Sequence, residues 1–199
     1  MIYIDVSNSI NSIEKKLDSF GDKSVDVVKR AINLTAKSAR KDLETEAKNR
    51  YVIKTSGFNR SMKIKNATKG NLVATISSQG SALEIKEFRV SPASYTTGKN
   101  RPNVTRGKVL KRSTMKNLEK NNVKAFVAKF KSGHVAVVER VPSKRMKSNP
   151  RKEFLRKLLS PSIPSMLGNE ETMYNVINPN VETNLYDNIN KVITKIMGV

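Results

Sequence analysis

Residues 24–51 read SVDVVKRAINLTAKSARKDLETEAKNRY, and the placing of their apolar side chains sets the first constraint on the fold. Val25, Val28, Ile32, Ala36, Ala39, Leu43 and Ala47 follow at steps of three and four, with Tyr51 one turn further on. That spacing gathers them on one face of a long amphipathic helix. Asp22 and Asp26 stand at its start and Lys48 and Arg50 at its end, as the partial charges of the helix ends favour.

On the N-terminal side, Met1 to Val6 alternates apolar and polar, as a short strand does. Ser7 or Asn8 then caps an expected helix carrying Ile10, Ile13 and Leu17, which ends near Phe20-Gly21. On the C-terminal side the period changes to two. Strands are expected over 61–67, 72–77 and 83–90, broken by Lys69-Gly70-Asn71 and Gln79-Gly80. Residues 91–107 hold two prolines and two glycines among polar residues and predict a long exposed loop. Val123 to Phe130 and His134 to Arg140 predict a hairpin, with Phe126, Ala128 and Phe130 on one face. Residues 141–152, basic and flanked by prolines, predict a second loop. A short apolar segment, Phe154 to Leu159, precedes Ser160-Pro-Ser-Ile-Pro164. Helices follow near Met166 to Ile177 and Val181 to Met197, the second with Leu185, Ile189, Val192, Ile193 and Ile196 on one stripe.

The order is helices, antiparallel strands, helices. It predicts an α+β fold in which a long N-terminal helix and C-terminal helices pack on an antiparallel sheet. A single domain over 1–199 is expected. Residues 1–54 form its helical part, 61–140 its sheet with the basic loop 91–107, and 141–199 a further basic loop and the C-terminal helices.

The charge is large and uneven. The chain carries 38 Lys or Arg against 17 Asp or Glu, a net of +21, which favours an anionic partner and argues against a self-contained monomer. Residues 99–160 hold 19 of the cations and three acids, Glu119, Glu139 and Glu153, whereas residues 161–199 are net −2. Phosphate contacts need only well-placed Lys and Arg. The candidate nucleic-acid or inter-subunit contacts are Lys108, Lys111, Arg112, Lys116, Lys144, Arg145, Lys147, Arg151 and Lys152. The same residues also read as a solvated surface or as partners for acids on a neighbouring subunit. Aromatics in the block are too sparse for a single-strand stacking platform, and no helix-turn-helix, zinc finger or RNP-type motif occurs.

Catalytic chemistry is poorly supplied. With no cysteine there is no thiolate nucleophile, disulfide or Cys-held metal. The one histidine, His134, falls at a hairpin turn with only Glu139 near it in sequence. Walker A, Gly-x-Ser-x-Gly and Gly-x-Gly-x-x-Gly motifs do not occur. Glu44 with Glu46, and Glu170 with Glu171, are spaced to lie on different sides of a helix. Met166 and Met173, seven apart, suit a packing face. The expectation is no enzyme, no cofactor and no metal. There is no apolar run of about 18 residues, so no transmembrane helix is expected. Met1 to Val6 lacks the features of a signal peptide, so any exit from the cell would use a route such as lysis.

Three segments carry a resemblance: Leu83-Glu-Ile-Lys-Glu-Phe-Arg-Val-Ser-Pro92, Ala125-Phe-Val-Ala-Lys-Phe-Lys-Ser-Gly-His-Val-Ala-Val-Val-Glu-Arg140, and Lys157-Leu-Leu-Ser-Pro-Ser-Ile-Pro-Ser-Met-Leu167. Together they resemble the phage minor tail protein Z family, whose members carry an Arg-Val-Ser-Pro segment, a hairpin with Ser-Gly-His at its turn, and a Gly-Pro-Ser-Ile/Val-Pro-Gln-Met segment before a C-terminal helix. Here Ser160 replaces the usual Gly and Ser165 the usual Gln.

The resemblance implies a structural tail-completion protein at the head-proximal end of a phage or phage-like tail. It implies a ring, hexameric by the symmetry of tails, beside the tail tube, tail terminator or neck proteins. Such a protein would form in the host cytoplasm and end in the virion, with DNA passing its channel and no membrane involved. The family has no catalytic residues to carry over. A tail terminator, a head–tail connector component or a stand-alone basic DNA-binding module are the alternatives. Salt-dependent DNA binding by an isolated monomer would mark the last.

Overall fold

In a computed structural model, which describes residues 2–4, 21–54 and 56–197, the stripe of residues 24–51 is a 27-residue helix, α1 (Ser24–Arg50). Its buried side chains include Val28, Ile32, Ala36, Ala39, Leu43 and Ala47, the positions that the spacing selects. Val25, assigned to the same stripe, is 37% exposed. Strand β1 (Ile2–Ile4) falls where alternation placed one. The helix expected to carry Ile10, Ile13 and Leu17 lies outside the described residues. Among the described residues no helix is long and apolar enough to cross a membrane.

The chain divides into two compact units. The first comprises Met1–Ala47, Phe58–Gly80 and Ile163–Val199. Its sheet is antiparallel, in the order β1-β3-β2, with β2 spanning Met62–Lys65 and β3 Ala74–Ser78. A short helix, α2 (Ser56–Ser61), precedes β2 and carries the fully buried Phe58. Asn33 of α1 ties the helix to the segment after β2. Its side-chain amide donates to the Ala67 carbonyl at 3.2 Å, and its oxygen accepts from the Ala67 N–H at 2.7 Å.

Two further helices complete this unit, α3 (Ile163–Leu167) and α4 (Glu170–Met197). The sequence predicts a helix beginning near Met166; instead Met166 is buried in α3, which Gly168 ends at φ +88°, a conformation glycine adopts without strain. Asn169 then caps α4, its Oδ1 accepting from the Thr172 N–H at 2.8 Å. The sequence also predicts a break before Val181, but α4 runs unbroken through Pro179. Proline inside a helix costs about 3 kcal/mol. Ile177, Leu185, Ile189 and Val192 are all buried along one side of α4, and each such burial stabilises by roughly 1.5–3 kcal/mol, so continuity wins. Asn188, also buried, donates to the Thr35 hydroxyl of α1 at 3.1 Å.

The second unit comprises Lys48–Gly57 and Ser81–Ser162. Where a strand was expected over 83–90, the chain forms β4 (Leu83–Glu84), a 3-10 turn and β5 (Arg89–Ser91). That turn buries Ile85 beside Ala125, Val127 and Val137, a core flanked by Val90, Tyr95, Val109, Leu118, Val135 and Leu158. Strand β5 pairs with β6 (Arg106–Lys108), which pairs with β7 (Lys116–Asn117). Gly107 is buried there, where a Cβ would lie 3.0 Å from Leu118 and 3.3 Å from Ile85. β8 (Glu119–Lys120) turns into β9 (Val123–Lys124) through Asn121 and Asn122, both at positive φ, as a tight two-residue hairpin requires.

The hairpin expected over 123–140 is present as β10 (Phe126–Lys129) and β11 (Val135–Met146). The loop expected over 141–152 is not. β11 continues to Met146 and pairs with β12 (Asn149–Lys157). The apolar segment Phe154 to Leu159 lies in β12 and in β13 (Leu159–Ser160), which pairs with β4. In place of one sheet, five small antiparallel sheets form among the described residues, and the class is α+β as the sequence predicts.

Candidate functional site

The charge follows the division into units. Lys48–Gly57 and Ser81–Ser162 together contain 24 Lys or Arg and only five acids, Glu84, Glu87, Glu119, Glu139 and Glu153. Nearly all of the surplus of +21 therefore belongs to this one unit.

Within it, β11 and β12 extend beyond β10 as a two-stranded arm. The last β10 partner of β11 is Val138, opposite Phe126, whereas β11 and β12 pair onward to Met146 and Asn149. The ladder is interrupted twice. No β12 residue faces Pro142, Ser143 or Lys144, and no β11 residue faces Pro150, Arg151 or Lys152. Each interruption contains a proline, which has no N–H to give the ladder. Ser143 stands at φ +65°, rare for a side-chain-bearing residue. Bulges of this kind turn side chains out of the regular alternation. Here Lys144, Arg145, Lys147, Arg151 and Lys152 are all exposed.

The arm's root is tied by acids. Arg156 Nε donates to Glu139 Oε1 at 2.8 Å, with a second, shorter bond from Nη2. Arg140 Nη1 donates to Glu153 at 3.3 Å. Lys157 Nζ donates to Glu84 Oε1 at 2.5 Å, and His134 Nε2 lies 2.9 Å from Glu84 Oε2. Burial works to raise the Glu84 carboxyl, but the Lys157 and His134 hydrogen bonds outweigh it and hold it below the usual range. Above the root, the guanidinium carbons of Arg101 and Arg140 lie 5.2 and 5.5 Å from the Phe126 ring centre. Further out, Lys144 Nζ lies 4.6 Å from that of Phe154.

The nine sequence-selected cations fall into two groups. Lys144, Arg145, Lys147, Arg151 and Lys152 share the arm. Lys108, Lys111, Arg112 and Lys116 belong to the β5-β6-β7 sheet and its turn. That turn is anchored by Val52 N–H to Val109 O at 2.8 Å and Lys111 N–H to Arg50 O at 2.9 Å. Lys108 is half-buried; the other three are exposed. None of the nine pairs with an acid among the described residues.

His134 sits exposed in the turn between β10 and β11, stacked on Phe130 with ring centres 6.0 Å apart and held by Glu84. Its contacts fasten the hairpin end to β4. No group of three or more His, Cys, Asp or Glu able to hold a metal occurs among the described residues.

Sequence reasoning missed a second basic feature, in the other unit. A groove of about 350 Å³ between α1 and α4 is lined by Arg30, Leu34, Lys37, Lys191, Val192 and Lys195, with Asn33. The signal was present as i, i+4 and i, i+7 spacing on two separate helices. Only the pairing of those helices shows that the cations converge.

The family model described as prophage minor tail protein Z matches residues 10–197 of the chain. No curated protein and no solved structure matches it.

Proposed function

Because this chain belongs to the prophage minor tail protein Z family, a family of phage tail components, we propose that it is a structural tail-completion protein without catalytic activity. Copies form a homohexameric ring at the head-proximal end of the tail, against the tail tube, terminator or neck proteins. The β11–β12 arm faces the channel and contacts passing DNA. Assembly takes place in the host cytoplasm, and the finished ring is part of the virion or tail-like particle.

The observation that carries this reading is the arm: five exposed cations on a two-stranded ribbon, tied at its root and unpaired along its length. Without a polyanion in reach such a feature adds only repulsion, since unscreened like charges repel. A ring around a polyanion uses it, because phosphates require charge and reach but no base-reading geometry. The nearly neutral first unit supplies the scaffold. Sixfold symmetry follows from the tail that such a ring caps.

Negative-stain imaging of the purified chain, and of tails assembled with it, tests the ring. Sixfold annuli at the head-proximal tail end are the expected result. Tails that finish and join heads normally without the protein would refute the completion role.

A further inference from the structure

A ring needs two complementary surfaces on each copy, and a chain of net charge +21 must overcome its own repulsion to present them. No Lys or Arg occurs between Lys157 and Lys191. Within that gap, α4 exposes Glu171, Tyr174, Asn178, Glu182 and Tyr186. At about 100° per residue these five lie within one stripe roughly a third of a turn wide. Tyr174 and Tyr186 are 51% and 45% exposed, among the few large apolar side chains left at the surface. The stripe thus combines two aromatic anchors with two carboxylates in a stretch of the chain that carries acids and no cation.

The groove between α1 and α4 is its chemical complement. Leu34 and Val192 are its apolar lining, and Leu34 is 38% exposed. Arg30, Lys37, Lys191 and Lys195 stand around them, none paired with an acid among the described residues. The stripe ends at Tyr186 and the groove lining on α4 begins at Lys191, so the two surfaces follow one another along the helix and share no residue. Two different surfaces that complement each other propagate head to tail and close into a ring when the rotation allows.

We propose that the Glu171–Tyr186 face of α4 docks in the α1–α4 groove of the next copy of this chain. The tyrosines meet Leu34 and Val192, and the carboxylates meet the four cations. This is helix-in-groove recognition, with aromatic anchors at the centre and charge fixing register. The inference rests on the ring reading above and names its interface. It draws only on residues of the first unit and on none of the β11–β12 arm.

Charge reversal of each side tests it on the full chain. Glu171→Lys with Glu182→Lys reverses the face, and Lys37→Glu with Lys191→Glu reverses the groove. In sedimentation equilibrium each pair is expected to weaken self-association by about tenfold or more, because like charges then oppose across the contact. An equimolar mixture of the two variants should recover association, since reversed face meets reversed groove. Unchanged far-UV dichroism melts would show that both variants fold. Association at wild-type strength in both variants, or a mixture that does not recover, would overturn the interface while leaving the ring standing. A wild-type chain that stays monomeric at every concentration, and builds no ring on tails, removes both.

Discussion

Replacing Lys144, Arg145, Lys147, Arg151 and Lys152 with glutamine should abolish most of the salt-dependent hold of this chain on duplex DNA without unfolding it. These five side chains are exposed and pair with no acid among the described residues, so their loss removes no ion pair from the fold. Among the described residues the contact given up is Lys144 over Phe154 at 4.6 Å, worth about 0.5–1 kcal/mol at an exposed site. If all five meet phosphates, they contribute about 4.5 to the slope of log K against log salt, at roughly 0.9 per neutralised phosphate. Between 50 and 200 mM salt that slope amounts to an affinity loss of about 500-fold in the parent chain from the arm alone. The assay is a fluorescence titration of a short duplex over a salt series, for parent and variant. The variant slope should fall by about 4.5, and each single replacement should lower it by about 0.9. Equal slopes for parent and variant would refute the assignment of the arm to DNA, whatever their absolute affinities.

Three further outcomes follow from the packing. Phe58→Ala empties a fully buried position in the first unit and should cost about 3–5 kcal/mol, read in a denaturant melt. Pro179→Ala should stabilise α4 by about 2 kcal/mol, since proline costs about 3 kcal/mol within a helix and returns up to about 1 kcal/mol through the unfolded chain; an unchanged melt would show that the helix is already broken there. Asp26, which accepts from Lys29 at 2.5 Å and lies 2.8 Å from Lys69, is lowered from 3.8 to about 2. A depressed carboxyl stabilises fully above the unfolded value and loses that contribution as the pH falls through the folded one. The stability of Asp26→Asn should therefore fall less than that of the parent between about pH 4 and pH 2 in an acid titration followed by dichroism.

What the sequence reveals depends on whether a signal is local. The stripe of α1 is periodic over seven turns; all of its positions within the helix but Val25 are buried, and the helix buries Val27, Ala31 and Thr35 beside them. The tight turn at Asn121-Asn122 and the arm beyond Val141 show no legible pattern in the sequence, for opposite reasons. The first is too short to show a pattern. The second carries strong turn residues, Pro142, Ser143, Ser148, Asn149 and Pro150, in a segment that nonetheless pairs. Prolines are tolerated there because β10 no longer pairs with β11 and the two interruptions take up the missing donors. Among site residues, the cation block was visible as composition. Its separation into an arm and a sheet turn was not, and neither was the convergence of Arg30 and Lys37 with Lys191 and Lys195, which depends on two helices far apart in sequence.

The placing of the few acids connects these observations. Of the five in the second unit, three pair at the arm's root: Glu139 with Arg156, Glu153 with Arg140, and Glu84 with Lys157. Toward the tip, no acid follows Glu139 on β11 or precedes Glu153 on β12. A surface evolved only for solubility would intersperse the two signs along the ribbon. Pairing the root alone fixes the direction of the ribbon while leaving its end at high positive potential, a charge that repels every copy of itself. Copies with such arms approach one another more readily where another surface is acidic, and the stretch between Lys157 and Lys191, with acids and no cation, offers one such surface. In the ring proposed above, a contact through α4 would set the spacing of neighbours, and repulsion would keep their arms apart until a polyanion lies between them.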